Sequence, residues 1–292
     1  MLFKFYTGFS EEHGMLMDFS ERVSVMSYPY CHYTFEYFLD AMERFGVHKI
    51  EIWGGSPHLY YEDMGPRELG QMKEDIVSHG CSVSAYTPEQ VLYPYNLAAK
   101  ESSIRMRSIE YFKKNIRIAA ELGAPVLVIS AGWGYLNESK EEALDRSRGA
   151  LRELAAYARD SGVILALEPL TKISSNLINY ANELARMVSE VSSPALAGML
   201  DVGQMGILGE TVEDYFKALG GAPVHIHIMD GSPAGHLAFG DGILPVYSYL
   251  RDALLLGYKG CFTLEMNDRQ YYLEPNKAID RSLDILKSWI AG

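Results

Sequence analysis

The chain is 292 residues long, 48% hydrophobic and 22% charged, the balance of a globular protein that buries a sizeable core without staples. Its formal net charge of −12 repels phosphate backbones and argues against a nucleic-acid partner. Three widely spaced cysteines (Cys31, Cys81, Cys261) with no CxxC pair argue against a disulfide framework and a cysteine zinc site, and fit a reducing cytosol.

The chain starts MLFKFYTGFSEEHGM, without the basic start and apolar core of a signal peptide. No apolar run approaches the roughly 20 residues that span a bilayer, so a cytoplasmic protein without membrane contact is expected. Short β-branched or aromatic runs read as strands at Phe3–Thr7, Lys49–Trp53, Ser82–Tyr86, Pro125–Ser130, Val163–Glu168, Ala195–Asp201, Val224–Met229 and Cys261–Met266. Between them, 113–122, 141–160, 210–219 and 275–290 carry apolar residues at three- and four-residue spacing, which predicts helices. Gly123, Gly162 and Gly220 stand just past helices, where a left-handed cap favours glycine. Strict alternation of strand and helix predicts parallel pairing through right-handed crossovers. Spread evenly over residues 1–292, it predicts an α/β chain forming one (β/α)8 TIM barrel domain. The rival, an open doubly wound sheet, usually shows a glycine-rich first turn, whereas FSEEHGMLMD has neither GxGxxG nor a P-loop.

A barrel of this kind keeps its chemistry at the C-terminal ends of its strands. Those ends hold Glu168 in VILALEP, Asp201 in AGMLD, His227 in HIHI and Glu265 in FTLEM. A lone acidic residue there is ordinarily a helix cap or an ion-pair partner. Four such groups from neighbouring apolar strands, each costly to bury unpaired, suit one shared divalent cation. Three carboxylates and an imidazole favour Mn²⁺, Co²⁺ or Mg²⁺ over a thiolate-seeking metal. His225 points to the same face as His227 and is given no ligand role.

Further side chains flank these ends. Trp53 either stacks on the apolar face of a bound substrate or caps the barrel. His58, in the loop beyond Glu51 and Trp53, is a candidate substrate contact. Glu89 either bonds substrate hydroxyls or pairs with a neighbouring helix. Trp133 and Tyr135, in SAGWGY, present the same choice, and His236 is expected to reach the substrate.

At these residues the sequence resembles a known family. LEP, LD, HxH, the loop of xHxxxGxG type and LE resemble the sugar-phosphate isomerase/epimerase superfamily, the xylose-isomerase-like TIM barrels. Within it the chain is most similar to fructoselysine 3-epimerase and the ketose 3-epimerases, through IEIWGGSPH (50–58), YTPE (86–89), YPYN (93–96) and LEPLT (167–171) with SN (175–176). The resemblance implies one divalent metal on Glu168, Asp201, His227 and Glu265, with the two glutamates as acid/base pair. It implies a sugar epimerase or isomerase that abstracts a proton next to the carbonyl of a ketose or ketosamine-like sugar through an enediolate. A homo-oligomer, dimer or tetramer, is implied too. The alternative is a lyase of the same superfamily, either a carbon-glycoside deglycosidase working with a small β-rich partner subunit or a keto-inositol dehydratase. The substrate shell departs from the ketose 3-epimerase pattern: Gln204 replaces a sugar-contacting histidine, Ser174 a glutamate and Pro233 an arginine. Asp241 stands in FGDG where PGEG is usual.

Overall fold

The computed structural model describes residues 18–232 and 234–291 of the chain. Nine short parallel strands carry the fold: Val23–Met26 (β1), Lys49–Gly54 (β2), Ser82–Pro88 (β3), Val126–Ser130 (β4), Ile164–Glu168 (β5), Leu196–Gly198 (β6), Leu200–Asp201 (β7), Ile226–Ile228 (β8) and Phe262–Leu264 (β9). Their order is β6-β5-β4-β3-β2-β1-β9-β8-β7. The two outermost strands of this order are consecutive in the chain, separated only by Met199. β6 pairs with β5 (Leu196 opposite Leu165), and β7 pairs with β8 (Asp201 opposite His227). The expected strand Ala195–Asp201 is therefore one barrel position in two pieces, changing neighbour at Met199. The sheet closes there into a (β/α)8 barrel.

The expected strand at Phe3–Thr7 lies outside the described residues, and the first barrel position is filled by β1 instead. VSVM is buried at all four positions and pairs with β2 on one side and β9 on the other. It is too short for alternation to announce it.

The helices are α1 (Phe19–Arg22) before β1, then α2 (Phe35–Phe45), α3 (Pro66–Ser78), α4 (Ser102–Leu122), α5 (Lys140–Asp160), α6 (Ala181–Val191), α7 (Val202–Leu208), α8 (Val212–Leu219) and α9 (Val246–Leu255) between the strands, and α10 (Pro275–Ala291) after β9. Ser139 caps α5 by accepting from the Glu142 N–H, and Gly123 and Gly220 end α4 and α8 in the left-handed conformation. Gly162 lies one residue beyond the cap of α5, again at positive φ. No helix among the described residues is long and apolar enough to cross a membrane.

Strand alternation divides the core. Ile50, Ile52, Ile226 and Ile228 face outward into the apolar layer under the helices. Ala85, Val126, Val128, Ala166 and Met199 fill part of the barrel interior. Glu51 and His227, one position along from the outward residues, must point inward.

The loop after β8 is held by one buried carboxylate. Asp230 accepts from the N–H groups of Gly231, Gly240 and Leu244 at 2.8–3.0 Å, which brings His236 to the barrel mouth. A Cβ on Gly242 would collide with the Asp230 carboxylate and the Gly231 backbone. Gly242→Ala is expected to cost about 2 kcal/mol by overpacking and to lower Tm by about 5 °C. Gly149→Ala, on the exposed face of α5 where an added methyl meets nothing within 4 Å, is expected to stabilise by about 0.5–1 kcal/mol. Paired thermal melts check both, and equal Tm values for the two variants would refute the loop argument.

Candidate functional site

β5 ends on Glu168, β7 ends on Asp201, β8 carries His227 at its middle, and Glu265 directly follows β9. One ligand atom from each lies within 4.8 Å of the others. His227 Nδ1 is 2.8 Å from Glu265 Oε2, 3.7 Å from Glu168 Oε1 and 3.9 Å from Asp201 Oδ2. Asp201 and His227 are sealed from solvent, while the glutamates keep a little access, 11% of the Glu168 side chain and 14% of Glu265.

Three of these atoms are buried without a hydrogen-bond partner: Asp201 Oδ2, His227 Nδ1 and Glu265 Oε2. The close His227–Glu265 approach does not have hydrogen-bonding geometry. Each such orphan costs about 1–3 kcal/mol, more when charged, and here all three face one another. Burial, opposed by His227 but reinforced by Glu265 and Asp201, pushes Glu168 up to about 7. A divalent cation would satisfy all three orphans and offset the repulsion. One imidazole nitrogen with carboxylate oxygens, and no thiolate, is a donor set suited to Mn²⁺, Co²⁺ or Mg²⁺. The residues fit the ion.

Asp201 also caps α7. Its Oδ1 accepts from the Gln204 N–H at 2.7 Å, leaving Oδ2 aimed into the cluster. The Gln204 side chain accepts from the Thr171 N–H at 2.8 Å and so ties α7 to the loop after β5. Behind His227 lies Glu51, fully buried. Its Oε1 is 2.9 Å from His227 Nε2 and takes the Thr87 hydroxyl; its Oε2 is 2.7 Å from His225 Nε2. Burial alone would raise the Glu51 carboxyl, but the two imidazoles hold it well below the usual range. Burial works against charging His227, yet Glu51 on one side and Glu265 on the other hold it well above the ordinary imidazole value.

The cluster opens into a cavity of about 280 Å³, whose walls include Trp53, Glu89, Ser174, Gln204 and His236. His236 Nε2 stands 3.6 Å from both Asp201 Oδ2 and Glu265 Oε2. Burial is outweighed by Glu265 and Asp201, which lift His236 to about 9. Trp53 donates its indole N–H to Glu89 Oε2 at 3.0 Å, and the other Glu89 oxygen accepts from the Val91 and Leu92 N–H groups. The Glu89 carboxylate therefore holds both a tryptophan and a loop, and among the described residues it forms no ion pair with a helix; α4 reaches only its carbonyl, through the Tyr111 hydroxyl.

Other expected contacts lie elsewhere. His58 does not reach the cavity; its Nε2 is 2.8 Å from the Tyr33 carbonyl, its ring packs on Phe35, and burial lowers its pKa. Trp133 borders a neighbouring cavity of about 480 Å³, which shares Gln90, Val91 and Ser174 with the first. Tyr135 is exposed near Glu101, and Asp241 binds the Tyr271 hydroxyl and Arg281 away from the cluster. Pro233 lies outside the described residues. Sequence reasoning missed Tyr28, Asn267, Arg269 and Tyr272 in the cavity wall. The position of NDRQYY after the last strand marks that loop, but not which of its side chains turn inward.

Comparison with known proteins places this geometry in a wider group. Residues 39–289 match the family model described as the xylose isomerase-like TIM barrel. Fructoselysine 3-epimerase of Shigella flexneri is 35% identical over 232 residues, 78% of this chain and 83% of that protein. Two solved structures share the fold. L-ribulose 3-epimerase superposes with a TM-score of 0.76 at 21% identity, over 93% of this chain and 95% of its own. D-psicose 3-epimerase, crystallised in the presence of D-fructose, gives 0.74 at 17% identity, over 93% and 100%.

A cation that binds the folded site and not the unfolded chain stabilises by about 2.7 kcal/mol at a hundredfold excess over Kd. Adding Mn²⁺ to chelator-treated protein is therefore expected to raise Tm by about 5 °C or more, and Asp201→Asn should remove most of that gain. An unchanged melt across Mn²⁺, Co²⁺ and Mg²⁺ would refute the metal assignment.

Proposed function

This chain belongs to the xylose isomerase-like TIM barrel family, and on that premise we propose that it epimerises or isomerises a ketose-type sugar by moving a proton at the carbon beside the carbonyl. The observation that carries the proposal is the cluster of Glu168, Asp201, His227 and Glu265, with orphaned buried atoms on three of them, at the floor of a sugar-sized cavity.

Those four residues would hold one divalent cation, Mn²⁺ by preference. When bound, the ion supplies Lewis-acid polarisation of the sugar carbonyl and its neighbouring hydroxyl. Glu168 and Glu265 do the proton work. They come from two separated walls of the barrel and are the two members of the set with access to the cavity. One carboxylate takes the proton from carbon and the other returns one, either to the opposite face of that carbon or to its neighbour. The first outcome is epimerisation and the second aldose–ketose isomerisation. His236, a few ångströms from Asp201 and Glu265, is placed to donate a hydrogen bond to a substrate oxygen as negative charge builds on it. Trp53, its N–H engaged by Glu89, offers a fixed ring against which the apolar face of a sugar can lie.

The second cavity supports a conjugated ketose, of ketosamine type, over a free one. Tyr93, Tyr95, Trp133 and Ile173 border it, and Ile173 is 90% exposed. Gln90, Val91 and Ser174 stand where the two cavities meet, so a substituent on the sugar has room beyond the reacting carbons. The relative at 35% identity is itself named for fructoselysine.

Incubation with Mn²⁺ and a panel of free and conjugated ketoses in D₂O is expected to place deuterium on a carbon flanking the carbonyl. Glu168→Gln and Glu265→Gln should each lower exchange by about 10²- to 10⁴-fold. No deuterium with any ketose would defeat the proposal, and elimination products in place of exchange would move the enzyme to the lyase branch. Trp133→Ala is expected to lower kcat/KM about tenfold for a conjugated ketose while leaving a free ketose within about twofold. Equal losses on both would remove the case for a conjugate.

A further inference from the structure

Glu51 is absorbed by none of the chemistry above, yet it is a carboxylate fully enclosed within the barrel. It lies on β2, whose neighbours Ile50 and Ile52 face outward into the apolar layer, so its side chain points into the interior. There it meets groups 174 and 176 residues away. His225 and His227 bring their Nε2 atoms to 2.7 and 2.9 Å of its two oxygens, and the Thr87 hydroxyl donates to the oxygen that His227 also uses. No solvent reaches it.

A carboxylate has only lone pairs to offer. Each imidazole touching Glu51 must therefore carry its hydrogen on Nε2. For His227 that leaves Nδ1, the atom without a hydrogen-bond partner that faces Glu168, Asp201 and Glu265. A purely structural ion pair gives no reason for this arrangement, since apolar side chains of similar volume commonly stabilise an interior at least as well as a buried pair. Nor would it require that one shared histidine keep an orphaned nitrogen on the far side of its ring.

We propose that Glu51 is a positioning residue for the metal centre: by accepting from His227 Nε2–H it fixes that ring's orientation and leaves Nδ1 as the ligand atom, while His225 and Thr87 donate to the same buried carboxylate and hold it in place. The proposal rests on the metal reading of the site. Outer partners of this kind hold a ligating histidine in one tautomer and raise its basicity.

The test uses the full chain, stripped with chelator, and Mn²⁺ alone as the probe. Free Mn²⁺ is counted by electron paramagnetic resonance during titration of the wild type and of Glu51→Gln, which keeps the shape and removes the charge. Glu51→Gln is expected to bind Mn²⁺ about 10- to 100-fold more weakly, with a metal-free Tm within a few degrees of wild type. Long-range ¹H–¹⁵N spectra of the Mg²⁺-loaded wild type should show the His227 proton on Nε2 and none on Nδ1. This second readout stands even if the variant does not fold. A folded Glu51→Gln protein that binds Mn²⁺ within about twofold of wild type, or a His227 proton on Nδ1, overturns the inference and leaves the metal site standing. A wild type that takes up no Mn²⁺ overturns the metal reading, and this inference with it.

Discussion

Negative charge gathered in a dry place is the constraint from which the rest of this structure follows. Glu168, Asp201 and Glu265 turn their oxygens toward His227 at the mouth of the barrel, and three atoms of the group have no hydrogen-bond partner. A fold selected only for stability would fill this space with apolar side chains, as the neighbouring interior does with Ala85, Val126, Val128 and Ala166. The cluster persists because the surrounding elements over-determine it. Asp201 is held by its duty as the cap of α7, His227 by Glu51, and the loop bearing His236 by Asp230. Polar groups held under such tension are characteristic of functional sites, where local strain is balanced by the stability of the scaffold.

The closure of the barrel is tied to the same cluster. β6 and β7 are pieces of one strand that changes partner at Met199, and the second piece consists of Leu200 and Asp201 alone. Asp201 is thus both the last residue of the closing strand and the first anchor of α7. Pairing it with His227 in register sets the carboxylate and the imidazole of adjacent strands side by side. Backbone pairing, helix capping and the placement of one unpartnered buried oxygen depend on one residue, which leaves little freedom in the spacing of the cluster.

Above the cluster the chemistry changes from charged to amphipathic. Trp53 and Glu89 form a rigid wall, Gln204 braces the loop after β5, and a second cavity extends the first past Ser174 toward Trp133. The acidic floor is thus separate from a partly aromatic upper region, so the walls can vary without disturbing the charged cluster. Barrels of this architecture vary function in just this way, through their loops.

Much of this was legible in the chain. Alternating strands and helices identified the barrel, and acidic or imidazole groups closing four apolar strands identified the cluster, because a buried carboxylate in such a run needs a reason. The first strand was not legible: VSVM is short and buried throughout, so it lacks the periodicity that betrays longer elements. His58 and Trp133 looked like wall residues from their loops, but loop side chains can turn either way, and packing on Phe35 or beside the second cavity settled them. Least visible was Glu51. Alternation along its strand shows that it points inward, but not that two histidines more than 170 residues later will close on it. Local periodicity and the cost of burying charge thus determined, from the sequence alone, the architecture and which residues gather in the acidic cluster. Partner choice was decided only by closure of the barrel, because which inward-facing groups meet depends on strand order and register, and those are properties of the assembled sheet.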